Sequence, residues 1–318
     1  MATIGTDIKE AARLLQTGNL VAIPTETVYG LAANAFSEAA VVRIFEAKNR
    51  PAFDPLIVHT HSVAVFPQIA GSIPDMAYQL AEAFMPGPLT LILPKGEHIP
   101  LLVTSGHDSV GIRIPNHPLT LQLLRNLDFP LAAPSANPFG YVSPTTALHV
   151  EQQLGDRIPY ILDGGACSVG IESTIISLAS GQVQVLRLGG LALEEIEQVL
   201  GRPVDLVQTS SSNPQAPGML ISHYAPRKKV VLGNLPDLAQ QFAGRPVGVL
   251  AFSNILAGVP AEHQVALSPA GDVQEAAQQL FSALRYLDDQ AVDFILAEYV
   301  PEVGLGRAVN DRLRRASR

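Results

Sequence analysis

A single cysteine, Cys167, is all the thiol this sequence contains, which excludes a disulfide framework. No uninterrupted apolar run is long enough for a bilayer-spanning helix. The opening MATIGTDIKEAARLL lacks the basic-then-apolar order of a signal peptide. The expectation is a soluble cytoplasmic protein. The formal net charge of -8 argues against a general nucleic-acid coat, though not against a local basic cleft. No G-x-x-x-x-G-K-S/T is present, so this is not a P-loop enzyme. No G-x-G-x-x-G opens a βα unit, so dinucleotide binding is unsupported. There is no G-x-S-x-G elbow, no H-E-x-x-H and no paired C-x-x-C.

What is present is enough apolar residue for two cores: 47% of 318 residues. The stretch AIPTETVYGLAANAFSEAAVVRIFEAKNRPAFDPLIVHTH (22–61) reads as strand, polar turn, helix, basic turn, strand. Gly30 is read as part of the turn. Ser37 is the N-cap of a helix over Glu38 to Ala47, ended by Pro51. A buried strand, Leu56-Ile57-Val58, then delivers His59 and His61, two apart and so expected to face the same way. Two ligands do not make a zinc site, and a histidine bonded to substrate is the better reading.

Further helices are predicted over Asp7–Gln16, Asp75–Phe84, Thr120–Leu127, Thr145–Leu154 and Leu193–Leu200. Strands are predicted at Leu89–Leu93, Val110–Ile114, Leu131–Ala133, Tyr160–Leu162, Thr174–Leu178 and Val183–Leu188. Strands outnumber helices and several follow one another directly, which implies a mixed sheet. Residues 204–229 are rich in Ser, Pro and Gly and read as a linker, yet Met219, Leu220, Ile221, His223 and Tyr224 suit a segment that packs onto a neighbouring surface. Three βα units follow, with strands near Val230, Val247 and Val292, and predict a small Rossmann-like parallel sheet. The organisation is thus 1–203, a linker over 204–229, and 230–318.

The polar candidates share one chemistry, anion binding. Lys48 and Arg50 flank an asparagine at a helix end. Arg113 and Arg187 lie in apolar strands. Ser135, Asn137, Ser143, Ser173 and Thr174 occupy turns punctuated by Gly and Pro. Bidentate arginines with hydroxyl or amide donors suit phosphate and carboxylate. Taken one at a time, each has a bland reading too: a paired surface arginine, a helix C-terminal charge, a turn hydroxyl.

The runs PTETVYGL (24–31), KNRP (48–51), DPLIVH (54–59), MPGPLTLIL (85–93), VGIRIPNHP (110–118), APSAN (133–137), SPTTA (143–147), DGG (163–165), ESTII (172–176) and VLRLGG (185–190) together resemble the YrdC-like family of threonylcarbamoyl-adenylate synthases. APGMLISHYAPR (216–227) and GLGRAVNDRLRRAS (304–317) resemble its long, two-domain branch. The resemblance implies a twisted mixed α/β sheet with a concave charged cleft, a linker folded over it, and a Rossmann-like second domain. It implies a nucleotidyl transfer: L-threonine, bicarbonate (or CO2) and ATP, with Mg2+, give L-threonylcarbamoyl-AMP and pyrophosphate. The product would pass to a tRNA threonylcarbamoyl transferase complex. Implied roles are threonine binding for Thr27, His59, Arg113 and Ser173, with Ser135 at the junction of the two substrates. Nucleotide binding is implied for Lys48, Arg50, Asp54, Ser109, Asn137, Ser143, Arg187 and Tyr224, with Lys48 and Arg50 catalytic. Asp54 departs from the common pattern, because an acid near a triphosphate repels it unless Mg2+ intervenes. VNDRL (309–313) departs slightly too, and is expected to affect only second-domain packing. The rival readings are a double-stranded RNA or tRNA-binding module, which the net charge disfavours, and another carbamoyl-transfer enzyme of the same fold. The acylphosphatase and zinc-finger segments of the latter are absent from this sequence.

Lys48→Ala or Arg50→Ala is expected to abolish ATP-to-pyrophosphate turnover while the fold survives, as read by pyrophosphate release and circular dichroism.

Overall fold

A computed structural model describes residues 1–207, 214, 216–218 and 224–318. In chain order the first unit contains β1 (Thr3–Gly5), α1 (Ile8–Gln16), β2 (Val21–Ile23), β3 (Gly30–Asn34), α2 (Glu38–Lys48), β4 (Ile57–His59), α3 (Phe66–Ile69), α4 (Asp75–Phe84), β5 (Leu89–Pro94), β6 (Ser109–Arg113), α5 (Pro118–Arg125), β7 (Leu131–Ala132), α6 (Ala147–Leu154), β8 (Tyr160–Leu162), β9 (Thr174–Ser177), β10 (Gln184–Arg187), α7 (Leu193–Leu200) and β11 (Asp205–Leu206). The second contains β12 (Lys229–Leu232), α8 (Leu235–Gln241), β13 (Val247–Ala251), β14 (Gln264–Ala266), α9 (Val273–Asp289), β15 (Phe294–Ala297) and α10 (Gly306–Ala316).

Among the described residues the first unit builds one mixed sheet in the order β1-β8-β2-β3-β7-β4-β6-β5-β9-β10-β11. Its antiparallel pairs are β2/β3, β3/β7, β4/β7, β5/β6 and β9/β10. The pairs β4/β6 and β5/β9 are parallel. These pairings place the C-terminal ends of β4, β6 and β10 with the N-terminal end of β9 at one end of the sheet, and the C-terminal ends of β2 and β7 with the N-terminal end of β3 at the other. Polar residues from both ends border one cleft on the sheet face. An all-parallel sheet would offer only C-terminal ends.

Local sequence explains the elements that aim the site. Asp7 caps α1, its Oδ1 accepting from Lys9 N at 2.8 Å. Ser37 caps α2, which runs to Lys48 and stops at Asn49 in the left-handed conformation (φ 51°). Asparagine tolerates that conformation better than most residues. The reversal sends Lys48 and Arg50 into the interior, where both are buried.

The expected turn at Gly30 is instead the start of β3, whose register with β2 pairs Val21 with Ala32. The run Leu31-Ala32-Ala33 has weak strand propensity, which hides the strand. His61 lies beyond the end of β4 and borders a separate depression with Val65 and Gln68. His59 and His61 therefore do not share a face. Residues 204–229 are not all irregular, since β11 pairs in parallel with β10. Ala216 is fully buried against Ile57, Ile92, Ile175 and Leu186. Met219, Leu220, Ile221 and His223 lie outside the described residues.

The second sheet is parallel throughout, ordered β12-β15-β13-β14. The core built on α9, with Ala277, Leu280, Phe281 and Leu284, continues through Val28, Val142 and Ile171 of the first unit. No described helix is long and apolar enough to cross a membrane.

A Cβ at Gly189 would stand 2.3 Å from Glu172 O and 2.3 Å from Ser173 C. Gly189→Ala must push that backbone aside. The expected cost is about 1–3 kcal/mol, read as a thermal midpoint lowered by roughly 5 °C.

Candidate functional site

The sheet face carries an open cleft of about 540 Å³, the solvent at its mouth included. Its lining includes Thr25, Val28, Arg50, His59, Arg113, Ser135, Glu172, Ser173, Arg187 and Tyr224. Three guanidiniums thus face one carboxylate.

Strand register explains the pairing at its base. β4 and β6 run parallel with His59 opposite Arg113, so both side chains leave the sheet side by side. Arg113 Nη2 lies 2.8 Å from Glu26 Oε1, both side chains buried. Arg113 Nε donates to Gly87 O at 3.3 Å. Burial, with Arg113 adding to it, pushes the His59 pKa down to about 3, so the imidazole is neutral at physiological pH. Across the cleft, Arg187 donates from Nε and Nη2 to Ser173 O at 3.1 and 2.9 Å. It also donates from Nη2 to Ser173 Oγ at 3.2 Å and from Nη1 to Pro217 O at 3.0 Å. Ser173 Oγ also meets Thr90 Oγ1 at 2.8 Å.

Lys48 lies behind this wall. Its Nζ donates to Ser135 O at 2.5 Å and to Asn137 O. Burial pulls its pKa well below the usual lysine range, and neighbouring Arg50 adds to the effect. Arg50 donates to Asp54 O at 3.0 Å and Pro55 O at 2.8 Å, and its Nη2 sits 2.9 Å from Asp54 Oδ2. Burial raises the Asp54 pKa, while Arg50 opposes that shift. Asp54 is therefore the counter-ion of Arg50 and is not part of the cleft wall. Truncating Arg50 alone would strand a buried carboxylate at a cost of about 3–5 kcal/mol, so Lys48→Ala is the cleaner probe.

The remaining candidates sit at varying distance from the cleft. Thr27 is buried beside it, sharing a 2.9 Å hydroxyl contact with Thr25. Asn137 Nδ2 donates to Pro138 O at 2.9 Å and Tyr141 O at 2.8 Å, and its buried Oδ1 lacks a partner. Ser143 Oγ donates to Glu172 Oε1 at 2.5 Å. Ser109 opens β6 opposite Pro94, four residues or roughly 13 Å along the strand from Arg113, and does not line the cleft. Three participants escaped the sequence reading: Glu26, Glu172 and Arg312. Glu26 and Glu172 sit inside the quoted motifs PTETVYGL and ESTII, but an acid in an anion site looks out of place until its arginine partner is visible. Arg312 Nε reaches Glu172 Oε2 at 3.1 Å from the last helix. Burial pushes the Cys167 thiol up to about 12, so it is no thiolate nucleophile.

Two family models match the chain. One, Sua5_yciO_yrdC, described as "Telomere recombination", covers residues 13–189. The other, Sua5_C, described as "Threonylcarbamoyl-AMP synthase, C-terminal domain", covers residues 191–318. The chain belongs to the Sua5/YciO/YrdC family. Among similar proteins of this family, the threonylcarbamoyl-AMP synthase of Pyrococcus abyssi is 45% identical over 98% of this chain and 94% of its own. That of Bacillus subtilis is 40% identical over 100% of this chain and 94% of its own. The crystal structure of P. abyssi Sua5 complexed with L-threonine superposes with a TM-score of 0.93 at 42% identity, covering 100% of this chain and 97% of that one. The Sua5 models divide the chain near residue 190, whereas α7 packs with Ile196 in the first unit's core.

His59 gives a pH test. The unfolded chain protonates it below about pH 6.5, but the folded protein resists until about pH 3. Its contribution is complete above 6.5 and is lost as pH falls. Roughly 3 kcal/mol should disappear between pH 7 and pH 4. Urea unfolding at the two pH values should show a shallower decline for His59→Gln than for the native sequence.

Proposed function

We propose that this protein is an L-threonylcarbamoyladenylate synthase, making L-threonylcarbamoyl-AMP and pyrophosphate from L-threonine, bicarbonate or CO2, and ATP, for modification of the adenosine beside the anticodon in tRNA. The observation that carries this reading is the register pair His59–Arg113 on one wall of a cleft whose other walls bring Arg50 and Arg187. A guanidinium suits an amino-acid carboxylate, the neutral His59, whose Nδ1 donates to Ile57 O at 3.2 Å, offers Nε2 as an acceptor, and the other cations suit phosphate. The family relationship and the likeness to a threonine-bound relative support the same assignment.

In this reading Arg113 takes the threonine carboxylate through Nη1, its Nη2 lying against Glu26 and its Nε donating to Gly87 O. Thr27, His59 and Ser173 fix the remainder of threonine, and Ser135 lies at the junction. Lys48, Arg50, Asn137, Ser143, Arg187 and Tyr224 hold the nucleotide, with Ser109 at its far end, and Asp54 acts through Arg50. Threonine's amine adds CO2 to form a carbamate. A carbamate oxygen then forms a bond to the α-phosphorus as the bond to the bridging oxygen breaks and pyrophosphate leaves. No protein nucleophile is required. Both reactants are anions, so the work of the protein is to neutralise charge and align the attack. Lys48 and Arg50 carry that role at the phosphates. Among the described residues no group of three or more His, Cys, Asp or Glu is placed to hold a metal ion, and Asp54 and Glu172 are each paired with an arginine. Mg2+ therefore fits as a passenger on the ATP phosphates, where it would offset charge on the departing pyrophosphate. The product is an activated acyl-adenylate, which a transferase acting on tRNA in the cytoplasm would consume. Weak RNA contact is compatible with that hand-over.

Pyrophosphate release from ATP should require threonine and bicarbonate together. Omitting either should return the rate to background, and release indifferent to threonine would reject the assignment.

A further inference from the structure

One side chain of the second unit reaches the wall of the cleft. Arg312 on α10 is fully buried. Its Nε lies 3.1 Å from Glu172 Oε2. Its Nη1 donates to Leu188 O at 2.6 Å and to Asp311 Oδ2 at 3.3 Å. Its guanidinium carbon stands 5.3 Å from the centroid of the Tyr224 ring. Nη2 is buried with no hydrogen-bond partner. Through these contacts a single guanidinium touches a cleft carboxylate, the residue after Arg187, and the cleft aromatic. Glu172 in turn accepts from Ser143 Oγ at 2.5 Å.

The placement has an electrostatic reason. Glu172 lines a cleft read as a binding site for anions. An unpaired carboxylate there would repel the incoming phosphates and carry a large desolvation cost. No described ion pair other than that with Arg312 neutralises it. The VNDRL segment, expected to matter only for second-domain packing, thus supplies the compensating charge. We propose that Arg312 is a positioning residue for the nucleotide half of the cleft: it balances Glu172, fixes the rotamer that receives Ser143, and seats Tyr224. This inference rests on the synthase reading. A cross-unit tether without catalytic consequence is the competing account.

The test compares full-length Arg312→Gln, Arg312→Lys and the double variant Arg312→Gln/Glu172→Gln in pyrophosphate release, with ATP and threonine varied separately and thermal midpoints recorded. Arg312→Gln should raise the KM for ATP by about tenfold or more, the effect of one uncompensated buried charge, with a much smaller change for threonine. Arg312→Lys, which keeps the charge but not the fork, should fall between it and the native protein. Removing the acid in the double variant should recover most of the lost ATP affinity. Should Arg312→Gln fail to fold, the double variant and Arg312→Lys still carry the comparison. A mere tether predicts a lowered melting midpoint with both KM values unchanged, or equal losses for both substrates with no recovery in the double variant; either result overturns the proposal. Native protein that releases no pyrophosphate would instead reject the synthase reading, whereas active native protein with an indifferent Arg312→Gln rejects only the positioning role.

Discussion

Five cations, Lys48, Arg50, Arg113, Arg187 and Arg312, are buried around a single cleft, and the rest of the structure is arranged to tolerate them. Three have carboxylates of their own: Asp54 for Arg50, Glu26 for Arg113 and Glu172 for Arg312. Among the described residues Lys48 and Arg187 have no such partner and spend their donors on backbone carbonyls, those of Ser135 and Asn137 for the lysine and those of Ser173 and Pro217 for the arginine. Carbonyl dipoles hold a cation in place without cancelling its charge. The Arg187 guanidinium is therefore held in a fixed position at the cleft before any ligand arrives. Such preorganisation is effective because nothing has to reorient when negative charge develops.

The mixed topology makes this crowding feasible. Side chains entering from strand ends of both polarities converge without long loops. His59 and Arg113 come from neighbouring parallel strands, whereas Ser173 and Arg187 come from an antiparallel pair closed by a tight approach at Gly189. A methyl group there has no room, because the Glu172–Ser173 backbone fills the space. Glycine at this point lets the segment after β10 approach the Glu172–Ser173 backbone closely.

Much of this was legible in the sequence, for identifiable reasons. Helices with clear caps and one apolar face, such as those opening after Asp7 and Ser37, were found within a residue or two. The strand carrying Arg113 was evident from its apolar neighbours. β3 was not, because alanines replace the branched residues that mark a strand. β1, β11 and β14 are two or three residues long, too short for periodicity to register. Within the site, the cations and hydroxyls read from the sequence as anion binders, and Asp54, four residues from Arg50, stood out as an acid among them, whereas Glu26 and Glu172 did not, since their arginine partners are distant in sequence. Arg312 lies 140 residues from Glu172, and no spacing rule connects the two.

Val28, Val142 and Ile171 share a core with α9. The seam near residue 190 that separates the two family models is therefore a boundary along the chain but not through space. An exchange of the C-terminal half for one from a distant relative would have to reproduce the imprint of those three side chains as well as the arginine that meets Glu172. The two halves share one packed surface, so a change of volume or charge on either side of it is felt by the other.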